Sequence, residues 1–213
     1  MDTKMISNNG LFISFEGIDG SGKSTQSKIL TNTLIALGQS VIQTREPGGS
    51  RGAELIRSLL VSGDKDRWSP ETEILLFTAA RRDHLEKTIQ PALDNGQVVI
   101  CDRYVDSTRV YQGVARADLR DTVDELHKII ISKEPDLTFI IDTDPEKSLV
   151  RGLARGTGED RFEDFGLEFQ KLLRDGFLKL SKDASNRCHL IDGMRNRDDI
   201  AENILKIVME YIR

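Results

Sequence analysis

The stretch from Gly17 to Ser24 reads GIDGSGKS, the spacing of glycines, lysine and hydroxyl that wraps backbone amides around the phosphates of a nucleoside triphosphate. Gly17, Gly20 and Gly22 can take up backbone angles closed to side chains. The N–H groups running through Ile18, Asp19 and Ser21 can therefore turn inward toward an anion at the start of a helix that opens with Lys23, Ser24 and Thr25. Lys23 would reach the β- and γ-phosphates, and the Ser24 hydroxyl would hold Mg²⁺. The implied chemistry is phosphoryl transfer, and the open question is which acceptor takes the group.

Three further clusters have residue types suited to that chemistry. Asp102 and Arg103 follow the apolar run Val98-Val99-Ile100-Cys101. An aspartate at such a strand end is the expected second holder of Mg²⁺, usually through water. Arg103 could clamp a donor phosphate, an acceptor phosphate or the group in flight; the competing reading of Asp102 and Arg103 is a structural ion pair. In REPGGSRGAELIR, Arg45, Arg51 and Arg57 offer planar guanidinium groups to a phosphate, with Glu46 and Glu54 as alternative partners. The stretch RGLARGTGEDRFED, about residues 151–164, sets Arg151, Arg155 and Arg161 among glycines, a composition that suits a flap closing over phosphates. A solvated surface loop is the plainer reading of that stretch.

The elements that must position these groups are legible as alternating patterns. Leu11-Phe12-Ile13-Ser14-Phe15 reads as a buried strand running into the glycine loop, and Ile29, Leu30, Leu34 and Leu37 recur at helical spacing up to Gly38. Strands are further predicted at Val41–Gln43, Val98–Cys101, Leu137–Ile141 and Cys188–Ile191, and helices from about Gly52 to Val61, from about Pro70, and through Ile200 to Tyr211. Strands alternating with helical crossovers predict an α/β fold, a doubly wound five-stranded parallel sheet covered on both faces. In such sheets ligands lie beyond the carboxyl ends of the strands, where the clusters above fall.

The composition agrees with this reading. At 213 residues the chain suits a single domain, 1–213, and 38% hydrophobic with 31% charged residues is ordinary for a globular enzyme. No apolar run approaches the roughly 20 residues that span a membrane, and the start MDTKMISNNG reads as a short polar tail rather than a targeting signal. Cys101 and Cys188 sit in apolar runs and read as reduced core thiols of a cytoplasmic protein. A net charge of −5 argues against a broad nucleic-acid surface and leaves room for a local basic cleft. His84, His127 and His189 show no metal-ligand spacing, and Trp68 has no assigned role.

GIDGSGKST at Gly17, TREPGG at Thr44, FTAARRDH at Phe77 and ICDRYVDSTRVYQG from Ile100 to Gly113 together resemble the thymidylate kinases of the bacterial type, over nearly the whole chain. The resemblance implies the P-loop nucleoside monophosphate kinase fold, a homodimer, ATP with Mg²⁺ as donor, and dTMP as acceptor. It places Phe77 against thymine, and Arg81, one helical turn later, on thymine O4. A guanidinium can donate to that carbonyl and leaves the amino group of cytosine without a partner. By the same resemblance Thr108 lies at the base edge, Tyr111 crowds the sugar 2′ position, and Ser107 and Gln112 belong to the dTMP site. Arg57 and Arg103 meet the dTMP phosphate, and Asp19, Glu46 and Pro47 line the acceptor side. Some members carry a catalytic arginine in the loop immediately after the acidic residue. Here that position is Gly20, so Arg155, with Arg151, is the evident substitute, beside Lys23, Arg103 and Asp102. Another nucleoside monophosphate or deoxynucleoside kinase, or a nucleotide-switched ATPase, would share the loop and differ in the base pocket.

Overall fold

The five apolar runs form a single parallel sheet in the order β2-β3-β1-β4-β5, made of β1 (Leu11–Glu16), β2 (Val41–Arg45), β3 (Val98–Asp102), β4 (Leu137–Asp142) and β5 (Cys188–Asp192). The computed structural model describes residues 10–64, 66–116, 118–153 and 165–212. Around the sheet run α1 (Lys23–Ala36), α2 (Arg51–Leu60), α3 (Pro70–His84), α4 (Gln90–Asp94), α5 (Val105–Val110), α6 (Arg120–Leu126), α7 (Pro145–Leu153), α8 (Gly166–Asp183) and α9 (Arg197–Met209). Helices α3, α5 and α6 each continue into a π-helical turn, at Leu85–Ile89, Tyr111–Arg116 and His127–Ile131.

The alternation of side chains along each strand explains the two covered faces. Ile13 and Phe15 of β1, with Val98 and Ile100 of β3, join Leu30 and Leu34 of α1 and Ile200, Ile204 and Val208 of α9 in one core. Phe12, Val99 and Cys101 point the other way and pack with Ile74 of α3, Leu85, Ile89 and Val105. A third cluster seats Phe169, Leu173 and Phe177 of α8 on Ile140, Val110 and Tyr111. The doubly wound five-stranded prediction therefore agrees with the structure, with each strand reaching one residue beyond its predicted apolar run or further.

The register brings the chemical residues to one edge. Phe15 pairs with Asp102, and Asp102 with Arg45, so the carboxyl ends of β1, β2 and β3 finish level. Arg151, Gly152 and Leu153, at the start of the predicted flap, form the last turn of α7. The remainder of that flap, 154–164, lies outside the described residues, and Arg155 and Arg161 with it.

Candidate active site

β1 delivers the chain into the glycine loop with three left-handed glycines, Gly17 (φ 135°), Gly20 (φ 75°) and Gly22 (φ 101°). At Gly17 a Cβ would stand 2.6 Å from the carbonyl oxygen of Ile141, whereas at Gly22 it would meet nothing within 4 Å. The loop thus packs closely against β4 on one side and opens on the other, at the N-terminus of the 14-residue α1. No side chain caps that helix end. Uncapped amides and the positive end of the helix dipole make this a seat for an anion.

Lys23 is buried against the loop and donates from Nζ to the carbonyl of Ile18 at 2.7 Å. Burial, reinforced by the nearby Arg103 cation, lowers its pKa to about 8, against the pull of Asp19, Asp102 and Glu16. Ser24, next along α1, donates its hydroxyl to Asp102 Oδ2 at the end of β3. A cleft lined by Gly20–Gln26, Ile141, Arg151, Gly193, Met194, Arg195 and Arg197 runs over this loop. The turn after β5, which supplies Gly193 to Arg197, was not anticipated from sequence. The rule that ligands gather beyond strand ends could have flagged it, since Asp192 closes β5.

A second cleft lies on the other side of Asp19, lined by Glu46, Pro47, Arg57, Phe77, Arg81, Arg103, Ser107, Thr108, Tyr111 and Gln112, with Val61 and Tyr104. Every residue anticipated on the acceptor side lines this cleft. Arg81, only 3% exposed, donates from Nε to Glu46 Oε2 at 2.7 Å and from Nη2 to Thr108 Oγ1 at 3.0 Å, with its guanidinium carbon 5.2 Å from the centre of the Tyr104 ring. The second oxygen of Glu46 faces His84 Nδ1 at 3.0 Å, and His84 Nε2 faces Thr44 Oγ1 at 2.7 Å. A carboxylate can only accept, so Nδ1 carries a proton. His84, without a role on sequence grounds, thereby fixes Glu46 and through it Arg81. Of the loop arginines after β2, Arg57 enters the cleft and donates to the carbonyl of Pro47, which follows a cis peptide bond. Arg45 instead pairs with Glu54 at 3.1 Å on the surface.

Arg103 joins the two clefts. Its backbone is left-handed (φ 71°), and its guanidinium donates to the Gly17 carbonyl at 3.1 Å, to Ser107 Oγ at 2.9 Å, to Tyr111 Oη at 3.2 Å and to Asp19. Tyr111 in turn donates to Asp19 Oδ2 at 2.8 Å. Burial works against the Arg103 cation, but Tyr111, Asp19, Asp102 and Glu16 outweigh it and hold the guanidinium above its ordinary pKa. Burial also pushes the Tyr111 phenol well up, so it stays neutral and can serve as a donor. Glu16, the last residue of β1, lies fully buried beneath this group, and burial together with Asp106 raises its pKa to about 8. It was missed from sequence because the apolar run was read as ending at Phe15.

The arrangement is thus a phosphate cradle with a lysine and an uncapped helix, a serine–aspartate pair beside it, and an arginine–aspartate–tyrosine group separating the cradle from a partly apolar pocket. That geometry suits transfer between two bound phosphates. The family model described as thymidylate kinase matches residues 15–204. The thymidylate kinase of Ruegeria pomeroyi is 58% identical over 207 residues, spanning 97% of this chain and 98% of its own. That of Dinoroseobacter shibae is 62% identical over 196 residues, spanning 92% and 95%. The crystal structure of thymidylate kinase from Ehrlichia chaffeensis superposes with a TM-score of 0.76 at 36% identity, covering 94% of this chain and 99% of that one. Matched along almost its full length in sequence and in three dimensions, with a phosphate cradle at the level strand ends, the chain belongs to the thymidylate kinase family.

Proposed function

We propose that this chain transfers the γ-phosphoryl group of ATP to the phosphate of dTMP, giving dTDP on the way to dTTP, with the two substrates in the clefts on either side of Asp19. The observation that carries the reading is the pocket end formed by Phe77 and the Glu46–Arg81–Thr108 group. Glu46 takes the Nε–H of Arg81 and Thr108 takes one Nη2–H, so the planar donor fork is held in one orientation beside the Phe77 ring. A fork of donors beside an aromatic face suits the O4 carbonyl of a stacked thymine and rejects cytosine, whose amino group would face another donor.

The donor triphosphate fits the loop from Gly17 to Thr25, with Lys23 on the transferred group and Arg151 at the rim of the same cleft. Ser24 and Asp102 bring two hard oxygen ligands together at the helix start, a donor set that fits Mg²⁺. When bound there with the nucleotide, Mg²⁺ supplies neutralisation of the charge on the β- and γ-phosphates. Arg103, reaching from the loop to Asp19 and Tyr111, holds the acceptor phosphate at the boundary between the clefts. Arg57 approaches it from α2, and Ser107, Gln112 and Pro47 complete the walls. The acceptor oxygen is already anionic, so the protein's contribution is placement and positive charge, with Arg155 supplying the cation that Gly20 cannot. No helix among the described residues is long and apolar enough to cross a membrane. Free, buried Cys101 and Cys188 suit a reduced cytoplasmic enzyme. Family membership supports a homodimer.

A coupled assay of ADP formation with ATP, Mg²⁺ and a panel of monophosphates tests this. The expected result is a clear preference for dTMP over dCMP, dAMP, dGMP and UMP. Highest turnover with any of the others, or turnover independent of a monophosphate, overturns it.

A further inference from the structure

We infer that Glu16, which touches neither cleft, is the positioning residue that holds Arg103 between them. The inference rests on the reading of Arg103 as the acceptor-phosphate arginine. Three consecutive groups at the end of β1 each fasten one part of the Arg103 turn. The Phe15 carbonyl accepts from the Arg103 backbone N–H at 2.9 Å. Glu16 Oε1 accepts from the Tyr104 backbone N–H at 2.7 Å, and Glu16 Oε2 accepts from Ser107 Oγ at 2.6 Å. The Gly17 carbonyl accepts from the Arg103 guanidinium at 3.1 Å.

Of these three, only Glu16 acts through its side chain, and it acts on both sides of a strained residue. Arg103 is one of two non-glycine residues among those described with a positive φ, a conformation that a side chain keeps only when its surroundings impose it. The bond to the Tyr104 amide fixes the chain immediately after that residue. The bond from Ser107 orients a hydroxyl whose lone pair then receives Arg103 Nη1 at 2.9 Å. Ionised, as it is above its raised pKa of about 8, Glu16 accepts on both oxygens, so the Ser107 hydrogen points at Glu16 and the serine oxygen is left to accept from arginine. An amide at position 16 would direct a donor at Ser107 and turn the serine hydrogen elsewhere, against the arginine. The position is otherwise sealed: Glu16 has no solvent exposure.

Glu16→Gln keeps the volume and the bond to the Tyr104 amide while reversing polarity at Ser107. At pH 9, where Glu16 of the parent is ionised, the change is expected to lower kcat/KM for dTMP on the order of 10- to 100-fold, as displacement of a positioned group does, with the KM for ATP changed less than about twofold. In a double-mutant cycle with Ser107→Ala the losses should be strongly less than additive, because both changes break one relay, whereas the cycle with Phe77→Leu across the pocket should be additive. Additive losses with Ser107→Ala, or a Glu16→Gln enzyme within twofold of the parent, overturn the inference. Arg103→Lys separates this from the underlying reading. An unchanged KM for dTMP in that variant overturns the assignment of Arg103 itself, while a raised KM there with a normal Glu16→Gln enzyme overturns only the role of Glu16. Should Glu16→Gln fail to fold by urea unfolding, the Arg103 side-chain ¹⁵N resonances decide the matter in Ser107→Ala. Slowly exchanging Nη protons that vanish in the variant support the relay, and unchanged ones overturn it.

Discussion

A Cβ on Gly20 would stand 2.0 Å from the carbonyl oxygen of Ser148 on α7, and its φ of +75° already disfavours any side chain. The phosphate loop therefore cannot carry its own cation at that position while α7 packs where it does, which is consistent with the proposed role of Arg155. Replacing Arg155 by alanine is expected to lower kcat about 10³-fold, the scale of other arginines that meet a transferring phosphoryl group, with a far smaller change in KM for either substrate. Single-turnover measurements check this. Adding Gly20→Arg to that variant should not restore turnover and should weaken ATP binding, because the new side chain displaces α7. Lys23 gives a pH prediction with a definite sign. Burial holds its pKa near 8 in the free enzyme, and the charge of a bound triphosphate raises it. ATP binding should then take up protons from solution at pH 8.5, where free Lys23 is largely neutral, and less so at pH 7.5, where it is mostly charged. Calorimetry in buffers of different ionisation enthalpy reads that uptake directly.

At the scale of elements, the short helix α5 carries Ser107 and Thr108, and charge rather than length keeps it in place. Asp106, fully buried, receives both Nη groups of Arg187 at 2.7 and 2.9 Å and Arg109 Nη1 at 2.8 Å, while Arg109 reaches Asp124 of α6 at 2.7 Å and Glu134 at 2.6 Å. Burial alone would raise the pKa of Asp106, but the two arginines outweigh it and hold it below the ordinary carboxylate value. A carboxylate with a depressed folded pKa contributes stability that is present above its unfolded pKa and lost as pH falls. Arg109→Ala should cost about 3 kcal/mol near pH 7, because a buried charge loses a partner, and distinctly less only in strong acid near pH 2, below the ordinary aspartate pKa. Urea midpoints at the two pH values measure it. These helices were the least legible part of the chain. The strands announce themselves as unbroken apolar runs, since a doubly covered parallel sheet buries both faces, but α5 and α6 are short and α5 buries Asp106 and Arg109 among its apolar residues, whereas α8 carries a readable period at Phe169, Leu173, Phe177 and Leu180 that the sequence reading passes over. Arg151 to Leu153 illustrate the difficulty. Gly152 and the flanking arginines read as loop, yet this glycine is buried in the last turn of α7, and its backbone N–H would lie 3.1 Å from a Cβ on Gly20.

Across the whole molecule, the donor cleft is built from α1, α7 and the turn after β5, and the acceptor cleft draws on α2, α3 and α5, so the two can be perturbed separately. The acceptor side also bears the exposed apolar surface that a dimer would cover. α2 and α3 pack against each other and leave Leu55, 69% exposed, and Leu75, 60% exposed, facing outward. The same two helices supply Arg57, Phe77 and Arg81 to the pocket. Helix α2 is held to the body largely by polar contacts: Ser50 caps it through the Ala53 amide and donates to Asp83 of α3 at 2.6 Å, and Glu54 accepts from the Gly49 amide at 2.9 Å. A partner subunit against Leu55 and Leu75 would add apolar burial to an element that has only Ala53 and Leu60 buried in its own core. If the chain dimerises through this face, Leu55→Asp combined with Leu75→Asp should convert that dimer to a monomer in light scattering at micromolar concentration. If the dimer steadies α2 as this packing implies, the monomer should show a raised KM for dTMP, through Arg57, while the KM for ATP stays within about twofold. A monomeric parent protein would remove the dimer from the account, and a monomeric variant with an unchanged KM for dTMP would show that α2 holds Arg57 without a partner.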